Sequence, residues 1–134
     1  MKKGGFTLVE LVVVVAMLAL LLALSAPSFY RMVQNNRLVT QTNELVSGLN
    51  MARSEAARSK NNITICGSAN STAADANCGG TFADGWIVFQ DTNGDINRDN
   101  DEPVLRSHPA MPAQLSISMP GMDSYFSFAP TGLG

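Results

Sequence analysis

The sequence has very few of the side chains that carry out chemistry. Among its 134 residues there are one histidine, His108, and two cysteines, Cys66 and Cys78. A structural zinc site usually takes four Cys or His ligands, and one histidine without a recognisable nucleophile motif builds no catalytic triad. We therefore expect a protein that is not an enzyme and holds no cofactor. We interpret His108, which precedes Pro109, as a loop residue.

Positive charge is also scarce. Nine lysines and arginines face eleven aspartates and glutamates, which gives a formal net charge of −2 at pH 7, and no arginine follows Arg106. A surface that binds nucleic acid is normally basic. The composition therefore argues against a general nucleic-acid-binding protein.

Ionisable side chains are almost absent near the N-terminus. Between Phe6 and Ala26 the only one is Glu10. A helix rises about 1.5 Å per residue, so this segment covers the roughly 30 Å hydrocarbon core of a bilayer. Lys2 and Lys3 precede it, which favours a cytoplasmic N-terminus and an extracytoplasmic remainder. A secretory signal peptide is the weaker interpretation, because its apolar core is shorter and ends at a small-residue cleavage site.

A second helical pattern follows Pro27 and continues to about Ser59 without another proline. Apolar side chains recur there at steps of three and four residues, as on one face of an amphipathic helix. The stripe consists of Val39, Thr42, Leu45, Val46, Leu49, Ala52 and Ala56. Pro27 lies inside the combined helix, where its missing amide proton predicts a kink. The helix thus divides into a transmembrane half, 6–26, and an amphipathic half, 27–60.

Short apolar or alternating runs replace the helical period after Asn61 and predict five strands. They are Ile63–Cys66, Trp86–Gln90, Val104–Ser107, Gln114–Ser118 and Tyr125–Phe128. Turn-rich stretches at 67–80 and 91–102 predict loops between the first three. We predict an α+β fold in which the amphipathic half-helix and the segment 61–134 form one domain, with the helix packed against a small antiparallel sheet.

The two cysteines lie in a part of the chain that we place outside the cytoplasm. Oxidation is the default there, so we predict a disulfide between Cys66 and Cys78 in preference to two free thiols. In the chain-entropy model, closing a loop of this size contributes about 3 kcal/mol to stability.

One acidic run has two interpretations. Oxygen-bearing side chains occupy steps one, three, five, seven, nine and twelve, as in a calcium-binding EF-hand loop. They are Asp91, Asn93, Asp95, Asn97, Asp99 and Glu102. Ile96, however, stands at step six, where such loops need glycine, and strand patterns flank the run in place of helices. A strand-turn-strand connection through Asn93-Gly94 explains the same residues with fewer assumptions, and we prefer it.

Two side chains of the predicted domain also have alternative interpretations. Arg53 lies beside the apolar stripe. It is either buried with a carboxylate partner, Asp84 or Asp91, or it covers a sheet edge with its stem while its head reaches water. Trp86 is compatible with a ligand platform, but in so apolar a strand we interpret it as a core aromatic.

Glu10 needs an explanation, because a carboxylate within a membrane span costs about 2.5–3.5 kcal/mol at the centre and usually marks a function. The positive end of the helix dipole softens this cost, but the carboxylate still lacks a partner. Cleavage between Gly5 and Phe6 would create an α-amino group about one helical turn from Glu10. Pairing with the amine of a neighbouring subunit would satisfy the carboxylate and fix the axial stagger of one helix against the next.

The N-terminal residues resemble the type IV prepilin signature: Lys2-Lys3-Gly4-Gly5 is followed by Phe6-Thr7-Leu8-Val9-Glu10-Leu11. The resemblance implies that residues 1–5 are a leader that a prepilin peptidase removes, that Phe6 is then methylated, and that Glu10 guides assembly with other pilins. It also implies storage in the bacterial inner membrane with a periplasmic head, until an inner-membrane assembly platform moves the subunit into a filament. Pro27 falls where these helices commonly carry a proline.

The rest of the chain is similar to the family of FimT, FimU and the H-type pseudopilins. Asn43–Ala56, Thr64–Cys66, Gly85–Phe89 and Glu102–Arg106 carry this resemblance. It implies a minor subunit that primes or caps a type IV pilus and serves pilus biogenesis, twitching motility or DNA uptake. The alternative is a minor pseudopilin of a type II secretion system, and a second alternative is a DNA- or ligand-binding module at the filament tip. Some members bind DNA through arginines of a C-terminal tail, which have no counterpart after Arg106, so we do not predict DNA binding.

Overall fold

A computed structural model describes residues 5–113, 115, 117 and 124–133, with only the backbone for residues 24–28. Within these residues it contains one helix and four strands. They are α1 (Leu8–Ser59), β1 (Asn62–Gly67), β2 (Trp86–Asp91), β3 (Val104–His108) and β4 (Tyr125–Phe128). The chain divides into two compact units, Met1–Val39, called here the N-terminal unit, and Thr40–Gly134, called the head. Helix α1 contributes residues to both.

Helix α1 ends where the sequence predicts. Lys60 follows the last turn in the left-handed conformation, with a φ of 58°, and its amide donates to the carbonyl of Ala56 at 3.0 Å. A left-handed residue is a common way to satisfy the last carbonyls of a helix. Arg58 pairs with Glu55 at 2.6 Å, and this hydrogen-bonded carboxylate raises the pKa of Arg58. The backbone of α1 is helical through residue 27, and the kink at Pro27 stays a prediction.

The N-terminal unit presents its side chains outward. Every side chain described between residues 5 and 23 is exposed. Within the part of the chain that the structure describes, no helix is both long and apolar enough to cross a membrane. The membrane span over residues 6–26 stays a prediction.

The four strands form one antiparallel sheet in the order β3-β2-β1-β4. In the interior strand β1, Ile65 lies opposite Val88 of β2 on one side and opposite Phe126 of β4 on the other. Four of the five predicted strands are confirmed. The fifth, Gln114–Ser118, is wrong at positions 115 and 117, which lie in no strand, and its other positions lie outside the described residues.

Both faces of the sheet are covered. One face packs against α1 and forms a core with buried residues from the helix, from the sheet and from the loop before β2. They are Leu45, Ala52, Ala56, Ile63, Ile65, Phe82, Trp86 and Val88. On the other face, Ala76 and Cys78 lie against Cys66, Ile87 and Phe89. The predicted α+β fold, with the helix on a small antiparallel sheet, is confirmed.

Gly48 brings α1 close to the sheet. A Cβ at this position would lie 2.7 Å from Cη2 of Trp86 and 3.3 Å from Cδ1 of Ile65, so only the bare backbone of glycine fits against the indole. This contact helps to determine which face of α1 packs against the sheet. The predicted apolar stripe is too wide, because Val39, Thr42 and Val46 are exposed.

Candidate functional site

The predicted cleavage junction lies just outside α1. Gly5, Phe6 and Thr7 adopt no regular structure, and the helix begins at Leu8. The Phe6 side chain is 83% exposed, and a Cβ at Gly5 would meet nothing within 4 Å. No described residue therefore crowds the peptide bond between Gly5 and Phe6.

Thr7 and Glu10 form reciprocal hydrogen bonds at the start of α1. The Thr7 hydroxyl accepts a hydrogen bond from the amide of Glu10 at 3.3 Å. In return, Oε2 of Glu10 accepts from the amide and the hydroxyl of Thr7, at 3.0 and 2.9 Å. The Thr7 carbonyl accepts from the amide of Leu11 at 3.2 Å. This arrangement is a capping box, with Thr7 at the N-cap position and Glu10 at N3.

Glu10 thus has a hydrogen-bond partner in its own chain before any cleavage, so the expectation that it lacks a partner there is wrong. The sequence contains the capping box as the motif Thr-x-x-Glu. Considering only charged partners for Glu10 overlooks this motif. The cleavage and methylation predicted for Gly5 and Phe6, and the assembly role predicted for Glu10, stay predictions.

A continuous apolar surface follows the capping box. Apart from Glu10, all the side chains between Leu8 and Leu22 are apolar, and all of them are exposed. Because these residues are consecutive in a helix, their side chains lie on every side of it. Exposed apolar patches of such extent mark surfaces that another molecule covers.

A disulfide joins Cys66 of β1 to Cys78, as the sequence predicts. It closes a loop that places the buried Ala76 on one face of the sheet. Arg98 ties this loop to the acidic run, since its Nη1 donates to the carbonyl of Ala76 at 2.9 Å and its Nε donates to the carbonyl of Glu102 at 3.0 Å. Arg98 thus connects the two loops that flank β2 along the chain, and the disulfide anchors the first of them to β1.

Asp91 holds one end of the acidic run. It is fully buried, and its carboxylate accepts from the hydroxyl of Thr64 at 2.9 Å and from the amides of Gly94 and Ile96 at 2.7 and 3.1 Å. The Thr64 hydroxyl also lies 2.9 Å from Oγ of Ser127 in β4. Ile96 adopts a φ of 74°, which is uncommon for a β-branched residue. The bond to Asp91 helps to fix this conformation.

Glu102 holds the other end. It is 3% exposed, and its carboxylate accepts from the amides of Thr92 and Asp99 at 2.6 and 3.0 Å. Gly94 turns the chain with a φ of 74°, and β2 pairs antiparallel with β3 across the run. The prediction that the run connects two strands is confirmed, but the connection extends from residue 92 to residue 103 and is longer than a turn at Asn93-Gly94. Among the described residues, no three metal-ligating side chains form a group that could hold an ion. The hydrogen bonds of Asp91 and Glu102 give these two positions of the spacing a structural role.

Arg53 is exposed, so the interpretation that buries it with a carboxylate is wrong. Both candidate carboxylates have other partners. Asp91 is satisfied by the bonds above, and Asp84 accepts from the amide and the hydroxyl of Thr81 at 2.9 and 2.8 Å. The hydrogen bond from the Thr81 amide lowers the pKa of Asp84 most, and the bond from the Thr81 hydroxyl lowers it further. The stem of Arg53 lies beside Gly132, where a Cβ would be 3.8 Å from its Cγ.

Trp86 is fully buried, which confirms it as a core aromatic. Cζ of Arg106, in β3, lies 5.4 Å from the centroid of the Trp86 ring, and the same guanidinium bonds to Glu44 of α1 at 2.6 Å. The loop predicted around His108 is wrong, because His108 is the last residue of β3 and its ring stacks on Trp86 at 5.1 Å. It lies opposite Trp86 in the sheet register, which brings the two rings together. This cluster ties the edge strand β3 to α1.

Two protein-family models match the chain. The model for the type II transport protein GspH matches residues 41–134, and the prokaryotic N-terminal methylation motif matches residues 1–26. The first match covers almost all of the head, and the second covers the predicted cleavage junction and the capping box. No curated protein and no solved structure matches the chain.

Proposed function

The chain belongs to the GspH family of type IV pilin-like proteins, and from this premise we propose that it is a minor subunit of an extracytoplasmic filament. In this proposal a few copies of the subunit prime or cap assembly. The head faces outward, and the apolar part of α1 lies in the filament core. The subunit acts as a structural protein and catalyses no reaction.

One observation carries the proposal. The side chains between Leu8 and Leu22 form a continuous exposed apolar surface in which Glu10 is the only ionisable group. Lipid of the inner membrane covers this surface before assembly, and the same segment of other subunits covers it afterwards, because both keep water away from apolar side chains. The membrane is thus the store from which the filament is drawn.

Processing precedes assembly in this proposal. A prepilin peptidase removes residues 1–5, the new amino group of Phe6 is methylated, and an inner-membrane platform then moves the subunit into the filament. Support comes from the methylation motif matched over residues 1–26 and from the uncrowded bond between Gly5 and Phe6.

Intact mass spectrometry of the protein from cells with and without the peptidase tests this step. We expect a mature chain that begins with methylated Phe6 when the peptidase is present and the full precursor when it is absent. A precursor of unchanged mass in both strains would contradict the proposal.

Two filaments are candidates. The description of the family that matches residues 41–134 names type II transport, which favours the pseudopilus of a type II secretion system. The resemblance of Asn43–Glu55 to subunits of type IV pili favours a pilus, with roles in twitching motility or DNA uptake. We take the secretion pseudopilus as the first candidate, because the family match extends over almost the whole head.

Deleting the gene and restoring it in trans separates the two candidates. Lost protein export with normal twitching identifies a pseudopilin, and lost twitching with normal export identifies a pilin. A deletion that impairs neither process would contradict both. Counting this subunit against the major subunit in purified filaments tests the minor role, for which we expect a ratio far below one.

A further inference from the structure

We propose that Thr7 is a positioning residue for processing: by capping α1, it holds the peptide bond between Gly5 and Phe6 outside the helix, where a peptidase can bind it. The inference rests on the proposed function, in which that bond is cut. It assigns Thr7 a role in the precursor that is separate from the charge of Glu10.

The hydrogen bonds at the start of α1 stop the helix at a defined residue. An N-cap residue has non-helical backbone angles while its carbonyl accepts the first helical bond, and here the Thr7 carbonyl accepts from Leu11 at 3.2 Å. The amide of Glu10 would otherwise extend the ladder by bonding to the carbonyl of Phe6. It donates to the Thr7 hydroxyl instead, at 3.3 Å.

The position of this stop matters for the bond that is cut. If the helix continued for two more residues, the carbonyl of Gly5 would accept from the amide of Val9 and would be held within the helical ladder. With the stop at Thr7, Gly5 and Phe6 lie in irregular and exposed backbone. Such segments are the preferred sites of proteolysis.

The reaction itself is a simple hydrolysis. Water adds across the bond between the carbonyl carbon of Gly5 and the amide nitrogen of Phe6. Gly5 keeps the new carboxylate, and Phe6 keeps the new amine. The peptidase supplies the catalytic groups, whereas this chain supplies an accessible carbonyl and the backbone conformation around it.

The chain offers variants that separate capping from charge. Thr7→Ala removes the hydroxyl and introduces the strongest helix former, whereas Thr7→Ser and Thr7→Asn keep a capping oxygen. Glu10→Gln removes the charge but keeps a side chain that the N3 position of a capping box accepts.

The test follows cleavage of the full-length precursor, in phospholipid vesicles, by a purified prepilin peptidase. We expect Thr7→Ala to be cut about fivefold more slowly than the wild type, which is roughly the factor that the loss of an N-cap implies. We expect the Ser, Asn and Glu10→Gln variants to be cut within about twofold of the wild-type rate. The carbonyl ¹³C shifts of Gly5 and Phe6 should move to helical values only in Thr7→Ala.

Each other outcome has a definite meaning. A wild-type precursor that the peptidase does not cut would overturn the proposed function together with this inference. A wild-type precursor that is cut, with Thr7→Ala cut equally fast, would overturn the capping role alone. Slow cleavage of Thr7→Ser and Thr7→Asn, at the rate of Thr7→Ala, would show that the peptidase contacts the threonine itself, and would also overturn the capping role.

Discussion

At Gly48, two effects of a methyl group oppose each other. Replacing glycine by alanine inside a helix normally stabilises a protein by about 0.5–1 kcal/mol. Here the Cβ would lie 2.7 Å from Cη2 of the buried Trp86, and overpacking of a core costs about 1–3 kcal/mol. We expect Gly48→Ala to lower the free energy of unfolding by about 1–2 kcal/mol. Denaturant unfolding of the full chain in detergent, followed by Trp86 fluorescence, measures the change.

Asn50→Ala is the matched control, because Asn50 lies two residues further along the same helix and is exposed. It should change the free energy of unfolding by no more than about 0.5 kcal/mol. A Gly48→Ala variant more stable than the wild type would contradict the close contact with the indole.

Single residues were predictable from the sequence where one physical effect dominates. Trp86 stands in a strand of apolar residues, and this context predicts burial of its large ring. His108 has no such context, and its place in β3 depends on stacking against Trp86, which only the sheet register reveals. The exposure of Arg53 depends on the exact rotation of α1, which the apolar pattern does not determine.

Breaking the disulfide between Cys66 and Cys78 should destabilise the head. Cys78 lies on the sheet face opposite α1, with Cys66, Ile87 and Phe89. We expect Cys78→Ser to lower the free energy of unfolding by about 3 kcal/mol, because the unfolded chain gains the freedom that the closed loop denies it. Denaturant unfolding of the full chain in detergent measures the loss.

Reducing agent provides the control for this prediction. Reduced wild-type protein should lose the same stability as Cys78→Ser, and the reagent should leave the variant unchanged. A variant as stable as the oxidised wild type would show that packing of the loop holds without the covalent bond.

Most of the helix and strand boundaries were predictable because apolar residues recur at a different spacing in a helix and in a strand. Alternating or continuous apolar runs identify β1 to β4, and the end of the helical period identifies Ser59. The buried face of α1 was harder, because apolar side chains cover a wide arc of the helix. Gly48 decides that face by admitting the indole, and a glycine contributes nothing to a hydrophobic stripe. The capping box was missed for a related reason, since Thr7 is neither apolar nor charged.

At the scale of the whole molecule, the two units differ in whether their apolar side chains are buried. The head buries a core of apolar residues on each face of one sheet, whereas the N-terminal unit leaves those between Leu8 and Leu22 exposed. The predicted role of Glu10 also concerns the whole molecule, because it sets the axial position of one subunit relative to its neighbour.

Substituting Glu10 tests that role. We expect Glu10→Ala and Glu10→Gln to be processed at the N-terminus yet to enter filaments at least tenfold less than the wild type, because a neutral side chain cannot pair with the amine of a neighbour; a tenfold loss corresponds to about 1.4 kcal/mol. Immunoblotting of sheared filaments against the membrane fraction measures incorporation. Normal incorporation of both variants would contradict a register role for the charge.

The short link between α1 and β1 has a mechanical consequence. Only Lys60 and Asn61 separate the helix from β1, which is an interior strand bonded to β2 on one side and β4 on the other. In the proposed filament, tension along α1 would therefore reach a strand that is hydrogen-bonded on both sides, and a pull along that strand would have to shear many hydrogen bonds together. Near the end of the same strand, the covalent bond from Cys66 to Cys78 would add a second restraint.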